Sequence, residues 1–251
     1  MSETSRRTCL VRTGPDVRSL DDADLHTIDE LLADPDVLVW LDILDPTTAD
    51  LELLVAEFGV HPLAIEDLRN RGQRAKLDTY GDRHVVVVYE VVVGTAARRG
   101  SGSGSGSEQV QDHAHEHEHD HEPFAEMHLF AGAGYIVTVR WADSPAVELT
   151  RRRFQTRTDV VAWSAGGLLY AILDAVVDGY FPLVDEVNDL LEDLEPALLS
   201  PNASQDGLRR LLELKRTMLG LRRVAAPLRD VANSLLRREA PLIDDKAVPY
   251  Y

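Results

Sequence analysis

Cysteine is almost missing from this chain: Cys9 stands alone, so no internal disulfide can form and nothing suggests an oxidising compartment. Aromatic residues are sparse at 6%, and basic side chains are outnumbered, 26 Lys plus Arg against 43 Asp plus Glu. The resulting formal charge of -17 has the wrong sign for a general binder of nucleic acid or anionic lipid, and favours cations as partners. Long apolar runs are wanting too. The longest uncharged stretch, Val160 to Leu173, has 14 residues and includes Ser164, Gly166 and Gly167, short of the roughly 20 that a bilayer-spanning helix needs. Met1 to Thr8 lacks the apolar core of a signal peptide, so the chain as it stands is expected to be soluble and to face the cytosol. No GxxxxGK[ST] phosphate loop, HExxH zinc helix or GxSxG nucleophile elbow occurs, which speaks against an enzyme.

What is present, 44% hydrophobic residues over 251 positions, suffices for a sizeable core. Short β-branched or aromatic runs at Val37 to Ile43, His84 to Val93, Met127 to Ala131 and Tyr135 to Arg140 are bounded by Asp, Gly and Pro and read as strands. Thr8 to Arg12 is a further candidate. Asp45-Pro46-Thr47-Thr48 is a helix-start signal; Leu51, Leu54, Val55 and Phe58 then recur at helical spacing until Gly59, and a second short helix follows Pro62. This alternation predicts a layered α/β domain, and the near-contiguous later runs predict some antiparallel pairing, hence a mixed sheet. Trp40, Trp141 and Trp163 are expected in the core.

Residues 98–122 interrupt the pattern. Gly and Ser alternate from Gly100 to Ser107, then His alternates mainly with acids, which predicts a flexible insertion between strands. In an extended chain His113, His115, His117, His119 and His121 share a face, so two or three imidazoles can reach one Zn²⁺, Co²⁺ or Ni²⁺; a solvated loop without metal is the alternative. The remainder, 146–251, is predicted helical, after a first domain spanning 1–145. Val147 to Arg157 comes first, followed by Val160 to Leu199 and Asp206 to Arg238, joined as a hairpin at Ser200-Pro201-Asn202. On Val160 to Leu199 the apolar stripe runs from Leu173 and Val176 through Val177, Tyr180, Val184, Val187, Leu191 and Leu194 to Leu198. Thr158 to Leu208 carries ten acids and no base, Arg209 to Arg238 nine bases and two acids. The two arms either pair with one another or leave the acidic one facing cations. Arg151-Arg152-Arg153 reads as a solvated helix face.

The chemistry-bearing residues cluster at His61-Pro62-Leu63-Ala64-Ile65-Glu66-Asp67, soon followed by Gln73-Arg74-Ala75-Lys76-Leu77-Asp78. Adjacent helical residues point about 100° apart, so Glu66 and Asp67 need oxygen donors from elsewhere to hold one ion. The segment Trp40 to Val91 resembles the cytoplasmic domain of the CorA family of magnesium and divalent-cation channels, in which HPLAIED is followed by a QRPK-like segment and a strand. Leu173 to Phe181, Leu214-Lys215-Arg216, Pro227 to Asp230 and the stretch from Pro241 to Tyr250 follow that family's order. Ala75 stands where the family has proline, and Gly179 replaces a common acid.

The resemblance implies an αβα sandwich followed by the helical hairpin, assembled as a homopentamer, with regulatory Mg²⁺ held between neighbouring subunits. By position it makes Glu66 and Asp67 ligands, Asp174 a supporting carboxylate and Asp178 a weaker one. It implies Mg²⁺, or Co²⁺ or Ni²⁺, as the transported ion, a place on the cytoplasmic face of the cell membrane, and membrane contact only through helices that would follow Tyr251. A partner aspartate on the stalk helix would also fall just past Tyr251. Two other classes stay open: a free-standing metal sensor or buffer, and a metal-dependent hydrolase on His61, Glu66 and Asp67, which lacks a nucleophile motif.

Overall fold

Strand β3 (Val37–Leu44) is buried at every position, which its run of Val, Leu, Trp and Ile requires: side chains alternate between two covered faces. A computed structural model describes residues 6–92, 123–156, 164–199 and 205–237. Around β3 lies one sheet in the order β2-β1-β3-β7-β6-β5-β4. The other strands are β1 (Arg6–Thr13), β2 (Asp16–Leu20), β4 (Lys76–Tyr80), β5 (Arg83–Val91), β6 (Phe124–Gly132) and β7 (Tyr135–Arg140). Among the described residues only β3 and β7 pair in parallel; every other neighbouring pair is antiparallel, so the sheet is mixed as expected.

Helices cover both faces. On one, a 3-10 turn (Asp22–Thr27), α1 (Ile28–Leu32), α2 (Thr48–Phe58) and α3 (Pro62–Arg69) lay Leu25, Ile28, Leu54, Phe58, Ile65 and Leu68 on Val39, Leu41, Phe130 and Val137. On the other, α4 (Pro145–Thr156), α5 (Ala165–Asp178) and α7 (Gln205–Leu236) pack against Leu38, Trp40, Val86, Val88, Met127 and Leu129. This second core joins residues from both sides of position 145. The layering is an αβα sandwich, with α6 (Tyr180–Leu198) and α7 running on together as the helical pair.

Local chemistry explains the elements. Thr47 caps α2 with a full capping box: its side chain accepts from the Asp50 N–H while Asp50 accepts from the Thr47 N–H at 2.6 Å. Gly59 ends α2 in the left-handed region at φ 57, where a side chain is disfavoured. Pro62 opens α3 at a position where its missing N–H costs nothing.

Several expectations change. The run Val160 to Leu199 is two helices, α5 and α6, broken at Gly179. Pro182 cannot donate to the carbonyl of Asp178, which deprives the ladder of a bond at that point. Val177 and Leu191, placed on the apolar stripe, are exposed, whereas Tyr180, Leu183 and Val187 are buried. Together Ala165–Pro196 is apolar and long enough to cross a membrane by length and composition, more than the uncharged run suggested; the α5 half, however, packs into the sheet-facing core. Trp40 is buried, Trp141 is partly covered, and Trp163 lies outside the described residues. The same holds for residues 98–122 with all five loop histidines, and for Ser200 to Asn202. The arginine triplet is only in part a solvated face: Arg152 is exposed and pairs with Glu148 at 2.9 Å, Arg153 is partly exposed and approaches Asp174 at 3.8 Å, but Arg151 turns in and reaches buried Asp42 at 2.6 Å. The ion pairs on α7 include local ones, Asp206 with Arg209 and Arg210, and Arg229 with Asp230.

A candidate ion-binding surface at the end of α3

Helix α3 is short, and its packing decides what it displays. Ala64, Ile65 and Leu68 turn inward, leaving Glu66 exposed and Asp67 at the rim with 30% of its side chain accessible. His61 caps the helix, its Nδ1 accepting the Leu63 N–H at 3.2 Å, while its ring stacks on Tyr80 at 4.7 Å between centroids. His61 is thereby committed to α3 and β4.

Asp67 is already paired. Its Oδ2 accepts from Lys76 Nζ at 2.7 Å, and the same nitrogen donates to Asp78 Oδ2 at 2.8 Å. Burial alone would lower the Lys76 pKa, but the hydrogen bonds it donates to both carboxylates, with their charges, outweigh it and hold the ammonium above its ordinary value.

The loop that brings Lys76 beside Asp67 is fastened to the sheet. Glu126 on β6 accepts the Gly72 N–H at 2.5 Å, Tyr89 on β5 donates its hydroxyl to the Gln73 carbonyl, and Gln73 Nε2 donates to the Asn70 carbonyl at 2.8 Å. Glu126 also pairs with His128 at 2.6 Å, and Arg71 lies over Trp141 at 4.8 Å. Burial pushes the Glu126 pKa up, yet the hydrogen bonds and charge of His128 and the loop N–H groups bring it below the usual carboxylate range. None of Glu126, His128 and Tyr89 was singled out from sequence; the period-two spacing of 126, 128 and 130 on a strand was the available signal.

Asp174 sits elsewhere. It lies on α5, where Tyr170 donates its hydroxyl to Asp174 Oδ1 at 3.2 Å. Burial and the neighbouring Asp174 charge raise the Tyr170 pKa. Asp178, one turn later, is exposed. Since α3 packs on one face of the sheet and α5 on the other, the structure does not bring Glu66 and Asp67 together with Asp174 and Asp178. Among the described residues no group of three His, Cys, Asp or Glu side chains forms a ready metal cage. A partly exposed carboxylate nonetheless suits Mg²⁺, which keeps several waters and takes one or two carboxylates.

The chain as a whole has relatives. The family model described as CorA-like Mg2+ transporter protein matches residues 35–100 and 109–251. The chain belongs to the CorA family. It is 28% identical over 209 residues to a putative metal ion transporter, YfjQ, of Bacillus subtilis, covering 82% of this chain and 57% of that protein. It is 27% identical over 214 residues to the cobalt/magnesium transport protein CorA of Thermotoga maritima, covering 84% of this chain and 54% of that one. The chain thus spans a little over half the length of these relatives. In fold it is similar to full-length CmaX, at TM-score 0.73 and 20% identity, over 100% of this chain and 70% of that one. The soluble domain of CorA from Methanocaldococcus jannaschii matches at TM-score 0.68 and 17% identity, over 96% and 84%. This CorA-family chain therefore has the fold of that family's soluble domains, and the matching proteins of Bacillus subtilis and Thermotoga maritima are named as transporters.

Proposed function

We propose that this chain is the cytosol-facing, Mg²⁺-sensing part of a CorA-type divalent-cation channel, and that it gates the channel by ion occupancy at Asp67. The observation that carries the proposal is the placement of the candidate carboxylates: Asp67 at the rim of one helical layer, Asp174 at that of the other. One ion cannot serve both within a chain, whereas copies arranged around a ring can present the α3 layer of one to the α5 layer of the next. Glu66, exposed beside Asp67, adds charge that holds the water shell of the ion, and Asp178 does the same beside Asp174. Homopentameric assembly is the ring this reading takes.

Without the ion, carboxylates across such a boundary repel. An ion that binds the closed ring better than the open one shifts the population toward closure; at 100 times its dissociation constant each site contributes about 2.7 kcal/mol. Several equal sites make the response steep. The relatives' names support magnesium or cobalt as the transported ion. The test is ion flux through the full-length assembly as internal Mg²⁺ is raised. Wild type shuts, and Asp67→Ala stays open at concentrations that close wild type; an Asp67→Ala channel with the wild-type closing curve refutes the proposal.

A further inference from the structure

Lys76 and Asp78 are two positions apart on β4 and therefore share a face, the one turned toward α3, while Leu77 packs into the opposite core. The Lys76 ammonium is seated between two carboxylates, at 2.7 Å from Asp67 and 2.8 Å from Asp78, with only 29% of its side chain accessible. Its position does not depend on a long flexible stem alone. The loop before it is tied down at Gly72 by Glu126 and at Gln73 by Tyr89, and β4 is registered on β5 from Lys76↔Val87 to Tyr80↔Arg83. A cation is thus built into the chain at the carboxylate that the proposed function reserves for an ion from solution.

We infer that Lys76 is a tethered competitor: its ammonium occupies Asp67 in the ion-free chain, and Mg²⁺ binds there by displacing it. The inference rests on reading Asp67 as an ion ligand. Displacement leaves the amine paired, because Asp78 still accepts from it, so the lysine remains within reach and returns when the ion leaves. Binding is then an exchange of cations at one carboxylate and not the filling of a bare one.

Two properties follow. A fixed ammonium in contact with the carboxylate excludes K⁺ and Na⁺, which have no greater charge and are more weakly held, whereas a doubly charged ion gains twice the Coulomb energy at the same distance. The competitor also weakens the apparent affinity, which raises the Mg²⁺ concentration at which the site fills. Lys76 therefore tunes threshold and selectivity against monovalent ions without itself ligating the metal.

The experiment is calorimetric titration of the 251-residue chain with MgCl₂ at constant ionic strength. Lys76→Met should bind about three- to fivefold more tightly than wild type, the scale of a partly exposed ion pair, and should respond more strongly to added KCl. Arg69→Gln removes the same unit of charge from the exposed end of α3 and serves as the control. An equal gain there assigns the effect to net charge and overturns the inference, as does a Lys76→Met chain that binds no tighter than wild type. A readout without substitution is the ¹⁵N resonance of the Lys76 ammonium: it should shift along the Mg²⁺ titration, and an unmoved resonance while the Asp67 carboxyl carbon shifts also overturns it. Asp67→Asn separates the two readings. If it abolishes binding while Lys76→Met binds as wild type does, the competitor idea falls alone; if binding survives it unchanged, the assignment of Asp67 falls as well.

Discussion

Two buried carboxylates show how neighbours decide what a charge does. Asp42, on β3, accepts from Arg140 Nε at 3.0 Å and Nη2 at 2.9 Å, from Arg151 Nη2 at 2.6 Å and from the Thr138 hydroxyl at 2.6 Å. Removing one member of such a buried pair strands the others, so Asp42→Ala should lose about 3–5 kcal/mol, read as a lower urea midpoint with an unchanged slope. Glu90, on β5 and 3% exposed, instead accepts from neutral donors, the Ser144 hydroxyl at 2.7 Å and the Ala146 N–H. Burial prevails over these hydrogen bonds and raises its pKa to about 7. The native state then holds a proton that the unfolded chain releases near pH 4.5, so Glu90 favours folding below that value and loses its contribution as pH rises through about 7. The swing is about 3 kcal/mol. Glu90→Gln keeps an acceptor for Ser144 and cannot ionise. The difference in thermal midpoint between this variant and wild type should therefore grow in the variant's favour from pH 5 to pH 8; a constant difference refutes the assignment.

At the scale of elements, what was legible tracked how completely an element is buried. Central strands β3, β5, β6 and β7 announced themselves as apolar runs because both of their faces are covered. Edge strands β2 (DVRSL) and β4 (KLDTY) lie at the two ends of the sheet, carry few apolar residues, and are not among the runs that read as strands. Missing β4 hid the main feature of the candidate site. Lys76 and Asp78 were in view as part of a motif, but only a strand puts them on one face and only the anchored loop puts that face beside Asp67. The turn after α2 was readable, since Gly59 closes a helical period. The left-handed φ of 57 there and a would-be Cβ only 2.6 Å from Arg83 Nη2 predict that Gly59→Ala destabilises by at least about 1 kcal/mol, visible as a lower melting temperature. An Arg83→Ala background should recover the contact part of that loss and leave the backbone part. Within the arginine triplet Arg151 misled for a different reason: sequence cannot tell that α4 crosses the sheet where a buried Asp42 awaits it.

For the whole molecule the decisive fact is a chain of charge -17 whose candidate ligands face away from one another across a three-layer sandwich. An ion shared by Asp67 and Asp174 has to join two copies, and linkage then requires that copies favour the ion as much as the ion favours the copies. Mg²⁺ should therefore raise the sedimentation-average mass of this chain in a protein-concentration-dependent way. NaCl of equal ionic strength should not, because screening relieves repulsion among the acids without bridging them. The Asp67→Asn, Asp174→Asn double variant should keep its fold and lose the Mg²⁺ response, while each single variant shifts it to higher ion concentration. Mg²⁺ binding that is equally tight at every protein concentration would mean that each copy holds its ion alone, and the shared-ion arrangement between α3 and α5 would then be wrong even if Asp67 remained a ligand.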